Sequence, residues 1–332
     1  MIARVTRLTL FAVVASFVLA LPFPSVSAQS GQPAAAKTSA SKAAPVPKAE
    51  DGRPDLSGIW GYATVTPLER PGNLGDKAEF TNDEELAQFE ARNKPRNVDE
   101  RAGTKGTAGD VSAAYNDFWW DRGTKVAGRQ TSLVIDPPNG RVPPQTAEAQ
   151  KRAADRQAAR PPRTTEADNP EDRSLWERCV ARTVPYLPGP YNNNIQIVQT
   201  HNNVVVVSEM IHEARIIPLD GRPHGTIRKW HGDSTGRWEG NTLVVETINF
   251  SDKTNFRGSS LGLKLTERFS RPTADTLIYE FTAEDPTTWA QPWTVRLPMT
   301  FNAEGMFEYA CHEGNHGLEG ILKGARLQDK GK

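Results

Sequence analysis

Short apolar stretches separated by turn residues dominate the second half of the chain. From Asn194 onward, runs such as "IQIVQ", "VVVVS", "TLVVET" and "LIYEF" recur between clusters of Asn, Gly, Asp and Pro. This spacing is typical of β-strands. In one of them Leu265, Glu267 and Phe269 occupy alternate positions, so they share one face of the strand. The pattern therefore predicts that one carboxylate, that of Glu267, points inward among apolar residues.

About eight such stretches follow one another and predict consecutive, antiparallel strands. They include one long strand over 204–218 and a last strand at "MFEYA", and a separate strand is predicted earlier, at 131–135. A sheet of this size hides its edges most economically by closing on itself. We therefore predict a mainly β fold, an antiparallel barrel of about eight strands with short helical insertions. Barrels of this size hold one small ligand.

Two helices are predicted ahead of the main strand series. "TNDEELAQFEARN" begins with Thr81 or Asn82 as a cap, has acidic residues in its first turn and carries apolar residues on one face. Residues 145–160 are rich in Ala, Arg and Gln, have almost no apolar stripe and are bounded by proline. We interpret them as a solvated helix within an insertion that covers about 137–175.

The N-terminal segment predicts export. Arg4 and Arg7 precede an apolar run over 8–21, and small residues follow it, so we expect a signal peptide over 1–28 that is cleaved after Ala28. The apolar run is too short for a stable membrane anchor. Residues 29–50 lack large apolar side chains and predict a disordered linker, which leaves 51–332 for a single barrel domain. The predicted location is periplasmic or secreted.

Charge and cysteine content narrow the partners further. Lys plus Arg equals Asp plus Glu at 40 each, so no basic field attracts nucleic acid or anionic lipid, and a small-molecule ligand or substrate is the predicted partner. The chain has two cysteines, Cys179 and Cys311. In an oxidising compartment they most simply form one disulfide.

The segment "CHEGNH" contains the H-E-x-x-H spacing of zinc proteases. That mechanism needs His312 and His316 on one helix face, with Glu313 beside the metal. Gly314 and Asn315 between them are poor helix formers, and the preceding residues alternate as a strand. We therefore predict no metal site, and keep a zinc-dependent hydrolase built on these histidines as an alternative.

The segment "GDSTG" matches the nucleophile elbow of α/β-hydrolases. That elbow requires a strand followed by a helix, whereas "GRWEGNTLVVET" follows here and has strand composition. We interpret "GDSTG" as a hairpin turn, and Ser234 is then not a nucleophile.

All six histidines lie between His201 and His316, in the predicted barrel half, which favours acid–base chemistry. No dinucleotide or phosphate loop is visible, so we predict no cofactor and chemistry of the lyase, dehydratase or isomerase type. If His212 faces inward it needs a partner, and the pattern offers Glu267, either for catalysis or for a structural bond in the barrel wall. The predicted catalytic residues are His212, His312, Glu267 and Arg215, and the predicted ligand-binding residues are Glu209, Trp230, His231, Asp233 and Trp293. A non-catalytic carrier of an apolar or aromatic ligand is the alternative.

Several longer motifs point to a family. "PDLSGIW", "IPLDGRPH", "GDSTGRWEGNTLVVET", "DPTTWAQPW" and "EYACHEGNHGLEGIL" together resemble a large family of exported bacterial proteins with a lipocalin-like β-barrel. The resemblance covers nearly all of the chain beyond the signal peptide. It implies a lipocalin-like barrel and export, and it implies no particular catalytic residues.

Overall fold

The structure, a computed structural model, describes residues 45–94, 120–159, 167–182, 184–254 and 256–330. The predicted signal peptide, the linker up to residue 44 and Trp119 lie outside these ranges. At the end of the predicted linker, Lys48 forms a β-bridge with Pro54, and the Asp55 amide donates a hydrogen bond of 2.9 Å to the Pro47 carbonyl. The last residues of that segment are therefore held against the start of the barrel domain.

Ten strands form one antiparallel sheet. They are β1 Gly58–Gly61, β2 Val134–Asp136, β3 Asn194–Gln199, β4 Asn203–Ser208, β5 Ala214–Pro218, β6 Asp233–Glu239, β7 Thr242–Ile248, β8 Lys264–Thr273, β9 Thr276–Glu284 and β10 Trp293–Phe301. Nine of them follow the order β5-β4-β3-β1-β10-β9-β8-β7-β6, and β2 pairs with β10 beside this path. Most neighbours are consecutive along the chain, and hairpins as short as two residues connect β6 to β7 and β8 to β9.

The sheet curls into a nearly closed barrel, because its two end strands, β5 and β6, lie side by side. No strand ladder joins these two strands, so we call this gap the seam. Gly236 lets the side chains across the seam come close, since a Cβ at this position would lie 2.8 Å from both Ile217 Cγ2 and Leu219 Cδ2. The prediction of a mainly β, antiparallel, lipocalin-like barrel is confirmed.

The barrel interior is a packed core. Alternate residues of each strand point inward, and the large aromatic side chains among them are fully buried: Trp60, Phe269, Tyr279, Phe281 and Trp293. Trp60 donates a hydrogen bond of 2.9 Å from Nε1 to the Leu56 carbonyl, and the Arg271 guanidinium lies 4.9 Å from its ring centre. Glu267 points into this core, as the strand pattern predicts.

Three α-helices occur in the described ranges. The two predicted ones are α1, Asp83–Asn93, and α2, Ala147–Ala158. The Asn82 and Thr146 side chains cap them by accepting hydrogen bonds from the Glu85 and Ala149 amides, at 2.7 and 3.1 Å. The third, α3, His316–Lys330, is a helix that the sequence analysis did not predict. The Asn315 side chain accepts a hydrogen bond of 3.2 Å from the Leu318 amide, so a residue interpreted as a helix breaker helps to start this helix.

Three local predictions are wrong. The long strand predicted over 204–218 is two strands, because Ile211 (φ 65°) and His212 (φ 41°) adopt left-handed backbone conformations in the short 3-10 turn Met210–His212. The last predicted strand, "MFEYA", lies in no strand. The "GDSTG" segment is not a turn: Ser234 lies inside β6, and the hairpin turns at Gly240 instead, which has φ of 60°.

The predicted disulfide is present. Cys179 and Cys311 are bonded, 132 residues apart in the sequence. The link ties the segment before β3 to the segment before α3, and Asn315 donates a hydrogen bond of 3.1 Å to the Glu177 carbonyl beside it. Within the described ranges, no helix is both long enough and apolar enough to cross a membrane.

Candidate functional site

A cleft of ≈ 530 Å³ lies at the seam between β5 and the first residues of β6. The loop 219–232, which connects these strands, supplies part of its wall. Its lining mixes apolar and polar surface, and the polar side chains include those of Arg215, Arg222, Lys229, His231, Asp233 and Thr235. A cleft with several polar groups converging in it is the usual form of a binding or active site.

A buried ion pair joins this cleft to the barrel core. Arg215 Nη1 and Nη2 donate hydrogen bonds of 2.6 and 3.1 Å to the two carboxylate oxygens of Glu267, and Tyr279 donates a third, of 2.9 Å. Arg215 is 6% exposed and Glu267 is 0% exposed. The pair therefore links β5 to β8 beneath the seam, where two charges are tolerated only because they neutralise each other.

Two hydroxyl groups extend the network around Glu267. Thr247 donates a hydrogen bond of 3.4 Å to Glu267 Oε2, and the Ser234 hydroxyl lies 2.9 Å from that of Thr247. Burial and the neighbouring Glu267 charge raise the pKa of Tyr279 well above its usual value, so it stays a hydrogen-bond donor. Ser234 is thus a buried, inward-facing member of a polar network, and no helix follows it as a nucleophile elbow requires.

Glu213 and His231 form a second carboxylate contact at the cleft. His231 Nε2 lies 3.1 Å from Glu213 Oε1, and their side chains are 26% and 10% exposed. The contact is close but is not aligned as a hydrogen bond, and Glu213 Oε1 is buried without another partner. The site therefore holds a carboxyl group that a proton, or a small movement of the imidazole ring, would satisfy.

The pKa values of this pair are shifted in opposite directions. Burial raises the pKa of Glu213 from 4.5 to about 7, although the backbone and charge of Arg182 oppose it. Burial and the Arg215 charge lower the pKa of His231 from 6.5 to about 4. At neutral pH the imidazole is therefore uncharged and the carboxyl is close to half protonated. Groups with pKa values moved in this way are typical of proton-transfer sites.

These shifts predict mirrored pH dependence of stability in two variants. Above about pH 4 and below about 6.5, His231 binds a proton only when the chain is unfolded, so it makes stability rise with pH. Above about 4.5 and below about 7, Glu213 binds a proton only in the fold, so it makes stability fall with pH. In the wild type the two effects cancel over most of this range.

We expect the free energy of unfolding to rise with pH in Glu213→Gln and to fall with pH in His231→Gln. Each slope is at most about 1.4 kcal/mol per pH unit. Urea unfolding of both variants and the wild type between pH 4.5 and 6.5 measures this. Burial and the Arg215 charge lower the His231 pKa and Glu213 does not contribute, so the His231 effect survives the Glu213 substitution. Slopes of the same sign in both variants, or parallel to the wild type, would contradict the assignment.

Several predicted catalytic residues lie elsewhere. His212 is exposed in the turn between β4 and β5, and the expected contact with Glu267 is absent because that carboxylate binds Arg215. His312 is exposed in the turn before α3, which begins at His316, so these two histidines do not share a helix face. His316 is 88% exposed. Among the described residues, no group of three or more His, Cys, Asp or Glu side chains is placed to hold a metal ion.

The predicted ligand-binding residues divide into two groups. His231 and Asp233 line the cleft. Trp293 is fully buried in the core, and Glu209 is buried and accepts a hydrogen bond of 2.8 Å from Asn194, so neither lines the cleft. Trp230 is half-buried outside the cleft lining, where its carbonyl accepts a hydrogen bond of 2.8 Å from Thr254.

The sequence analysis missed three residues that the structure places at or beside this cleft. Glu213 contacts His231, and His224 contacts Asp233 and Thr235. Thr235 is two positions after Asp233 in β6, so both side chains leave the strand on the same face. This alternation was readable in the sequence, but it required Ser234 to lie in a strand rather than in a turn.

Fold and site together define a nearly closed antiparallel β-barrel with a cleft at its seam in which several polar side chains converge. No protein-family model matches the sequence, and no curated protein and no solved structure is significantly similar to it.

Proposed function

We propose that the protein is an exported enzyme that transfers protons on a small molecule bound in the seam cleft. The reaction class that fits is a lyase, dehydratase or isomerase, because such reactions require a base and an acid but no nucleotide cofactor. The observation that carries the proposal is the contact of His231 and Glu213 at the cleft. The pKa of Glu213 is raised to about 7 and that of His231 is lowered to about 4.

The two residues take different roles. His231 lines the cleft and is the more exposed of the two, so the uncharged imidazole accepts a proton from the bound molecule. Glu213 lies behind it and exchanges a proton with the ring, since its pKa of about 7 suits donation and acceptance near neutral pH. Arg215 acts through its charge, which opposes protonation of His231, while Glu267 holds the guanidinium in place.

The two alternative functions have less support. A carrier of apolar ligands needs an apolar hollow, whereas this barrel interior is filled by aromatic side chains and the cleft brings several charged side chains together, among them Arg222, Lys229 and Asp233. A zinc-dependent hydrolase needs two histidines on one helix face, and His312 precedes the helix that His316 begins.

Export remains part of the proposal. The Cys179–Cys311 disulfide supports it, because such bonds persist in oxidising compartments. The predicted signal peptide and the resemblance to exported barrel proteins point in the same direction.

A substrate screen tests the proposed activity. Purified wild-type protein is incubated with a protein-free small-molecule extract, and mass spectrometry identifies a compound that is consumed and its product. We expect Glu213→Gln and His231→Gln to lower the rate of that conversion at least about 100-fold. Glu280→Gln is the matched control, because Glu280 pairs with Arg296 at 2.6 Å away from the cleft and should leave the rate unchanged.

Two results would overturn the proposal. One is the absence of any conversion by the wild type, and the other is an unchanged rate in both cleft variants. Circular dichroism of each variant separates loss of activity from loss of the fold.

A further inference from the structure

A second histidine and carboxylate contact lies beside the first. His224, in the loop between β5 and β6, places Nδ1 at 3.3 Å from Asp233 Oδ2 and Nε2 at 3.3 Å from Thr235 Oγ1. Asp233 and Thr235 both line the seam cleft. The side chains therefore follow one another as carboxylate, imidazole and hydroxyl, which is the arrangement of a nucleophile, its base and the group that orients the base.

The Asp233 carboxylate is firmly held. Lys229 donates a hydrogen bond of 2.5 Å to Oδ1, and the Gly225 amide donates one of 2.9 Å to Oδ2. Burial alone would raise the pKa of Asp233, but these contacts outweigh it and lower the value, so the group is a carboxylate at neutral pH. A fixed carboxylate at Nδ1 selects the tautomer of neutral His224 that carries its proton on this nitrogen.

The other ring nitrogen is then free to accept a proton. In this tautomer Nε2 carries the lone pair and lies 3.3 Å from Thr235 Oγ1, and Glu246 Oε1 lies 3.5 Å from the same nitrogen. Glu246 is bound to Lys264 at 2.6 Å, which neutralises its charge locally. Thr235 is thus the neighbouring hydroxyl from which His224 can remove a proton, whereas the Ser234 side chain points to the opposite face of β6.

We infer that Thr235, His224 and Asp233 form a nucleophile, base and positioning group that hydrolyse small carboxylic esters in the seam cleft. This activity goes beyond the proposed function, because it requires neither Glu213 nor His231. The "GDSTG" segment matches a nucleophile motif through Ser234, but the proposed nucleophile is the next residue, Thr235.

The steps balance without a further reactant except water. Thr235 Oγ1 attacks the ester carbonyl carbon while its proton moves to His224 Nε2. The bond to the leaving alcohol breaks, and the alcohol takes that proton, which leaves an acylated threonine. Water then attacks the acyl carbon and gives one proton to His224, and this proton returns to Thr235 Oγ1 as the acid leaves.

Hydrolysis of p-nitrophenyl acetate by the full-length protein tests the inference. We expect the rate above buffer to fall at least about 100-fold in Thr235→Val and in His224→Gln, and to be retained in Thr235→Ser. Thr282→Val is the matched control, because Thr282 bonds Thr294 at 2.9 Å on β9 and β10, outside the cleft. After acid quenching, peptide mass spectrometry should locate the acetyl group on Thr235.

The inference is wrong if the wild type is no faster than Thr235→Val, or if the acetyl group is found only on other residues. Retained hydrolysis by Thr235→Ser shows that the fold tolerates a change at this position. Glu213→Gln and His231→Gln test the proposed function, whereas Thr235→Val and His224→Gln test the ester activity, so the two fail separately.

Discussion

Replacing Arg215 by methionine is expected to lower the free energy of unfolding by about 3–5 kcal/mol, because the buried carboxyl group of Glu267 would lose the cation that compensates its charge. Glu267 is fully buried and receives two hydrogen bonds from Arg215, at 2.6 and 3.1 Å. The hydroxyl groups of Tyr279 and Thr247 remain beside it, but they carry no compensating charge. Urea unfolding at neutral pH measures the loss.

The double variant Arg215→Met with Glu267→Leu separates lost charge pairing from lost packing. It removes both charges, so we expect it to be more stable than Arg215→Met alone. Arg296→Met is the matched control, since Arg296 forms a half-exposed ion pair with Glu280 and should cost less than about 1 kcal/mol. A double variant no more stable than the single one would contradict the role assigned to the buried charge.

Trp60→Ala is expected to cost about 3–5 kcal/mol of unfolding free energy. The indole is fully buried, packs edge-on against Phe301 with ring centres 5.5 Å apart and donates a hydrogen bond to the Leu56 carbonyl. It also supports the Arg271 guanidinium, which binds the carbonyls of Asp55 and Ala274. Removing the ring leaves a cavity and an unsupported cation together. Thermal and urea unfolding measure the effect.

Two further substitutions make this result specific. Trp60→Phe keeps most of the ring but loses the indole N–H, so we expect a smaller loss than for alanine. Trp238→Ala removes a tryptophan that is only half-buried against the core, and it should also cost less. Equal losses for Trp60→Ala and Trp238→Ala would mean that the position of Trp60 in the core is not what matters.

Local pattern was sufficient for much of the fold. The alternation of Leu265, Glu267 and Phe269 identified a buried carboxylate, because side chains of a strand alternate between two faces whatever the strand pairs with. The caps of α1 and α2 were readable because a cap acts within a few residues. The disulfide was readable because the chain has two cysteines and no other pairing within it exists.

Less of the candidate site could be predicted from the sequence. The break between β4 and β5 falls at Ile211 and His212. Residues of these types rarely adopt left-handed conformations, so the sequence gives no turn signal here. That break places His212 on the surface and directs Arg215 inward to Glu267, 52 residues away. No local rule identifies such a partner, because the contact follows from the curvature of the whole sheet.

The order of residues therefore determined which strands have a buried face, where α1 and α2 begin and which cysteines pair, since these depend on periodicity, short-range hydrogen bonds and simple counting. Tertiary structure alone decided that β5 and β6 meet without pairing, that Glu213 meets His231 across this seam and that His224 stands between Asp233 and Thr235. The physical reason is that these contacts arise only when distant segments are brought together by closure of the barrel. Burial there then sets the pKa values that the isolated residues would not have.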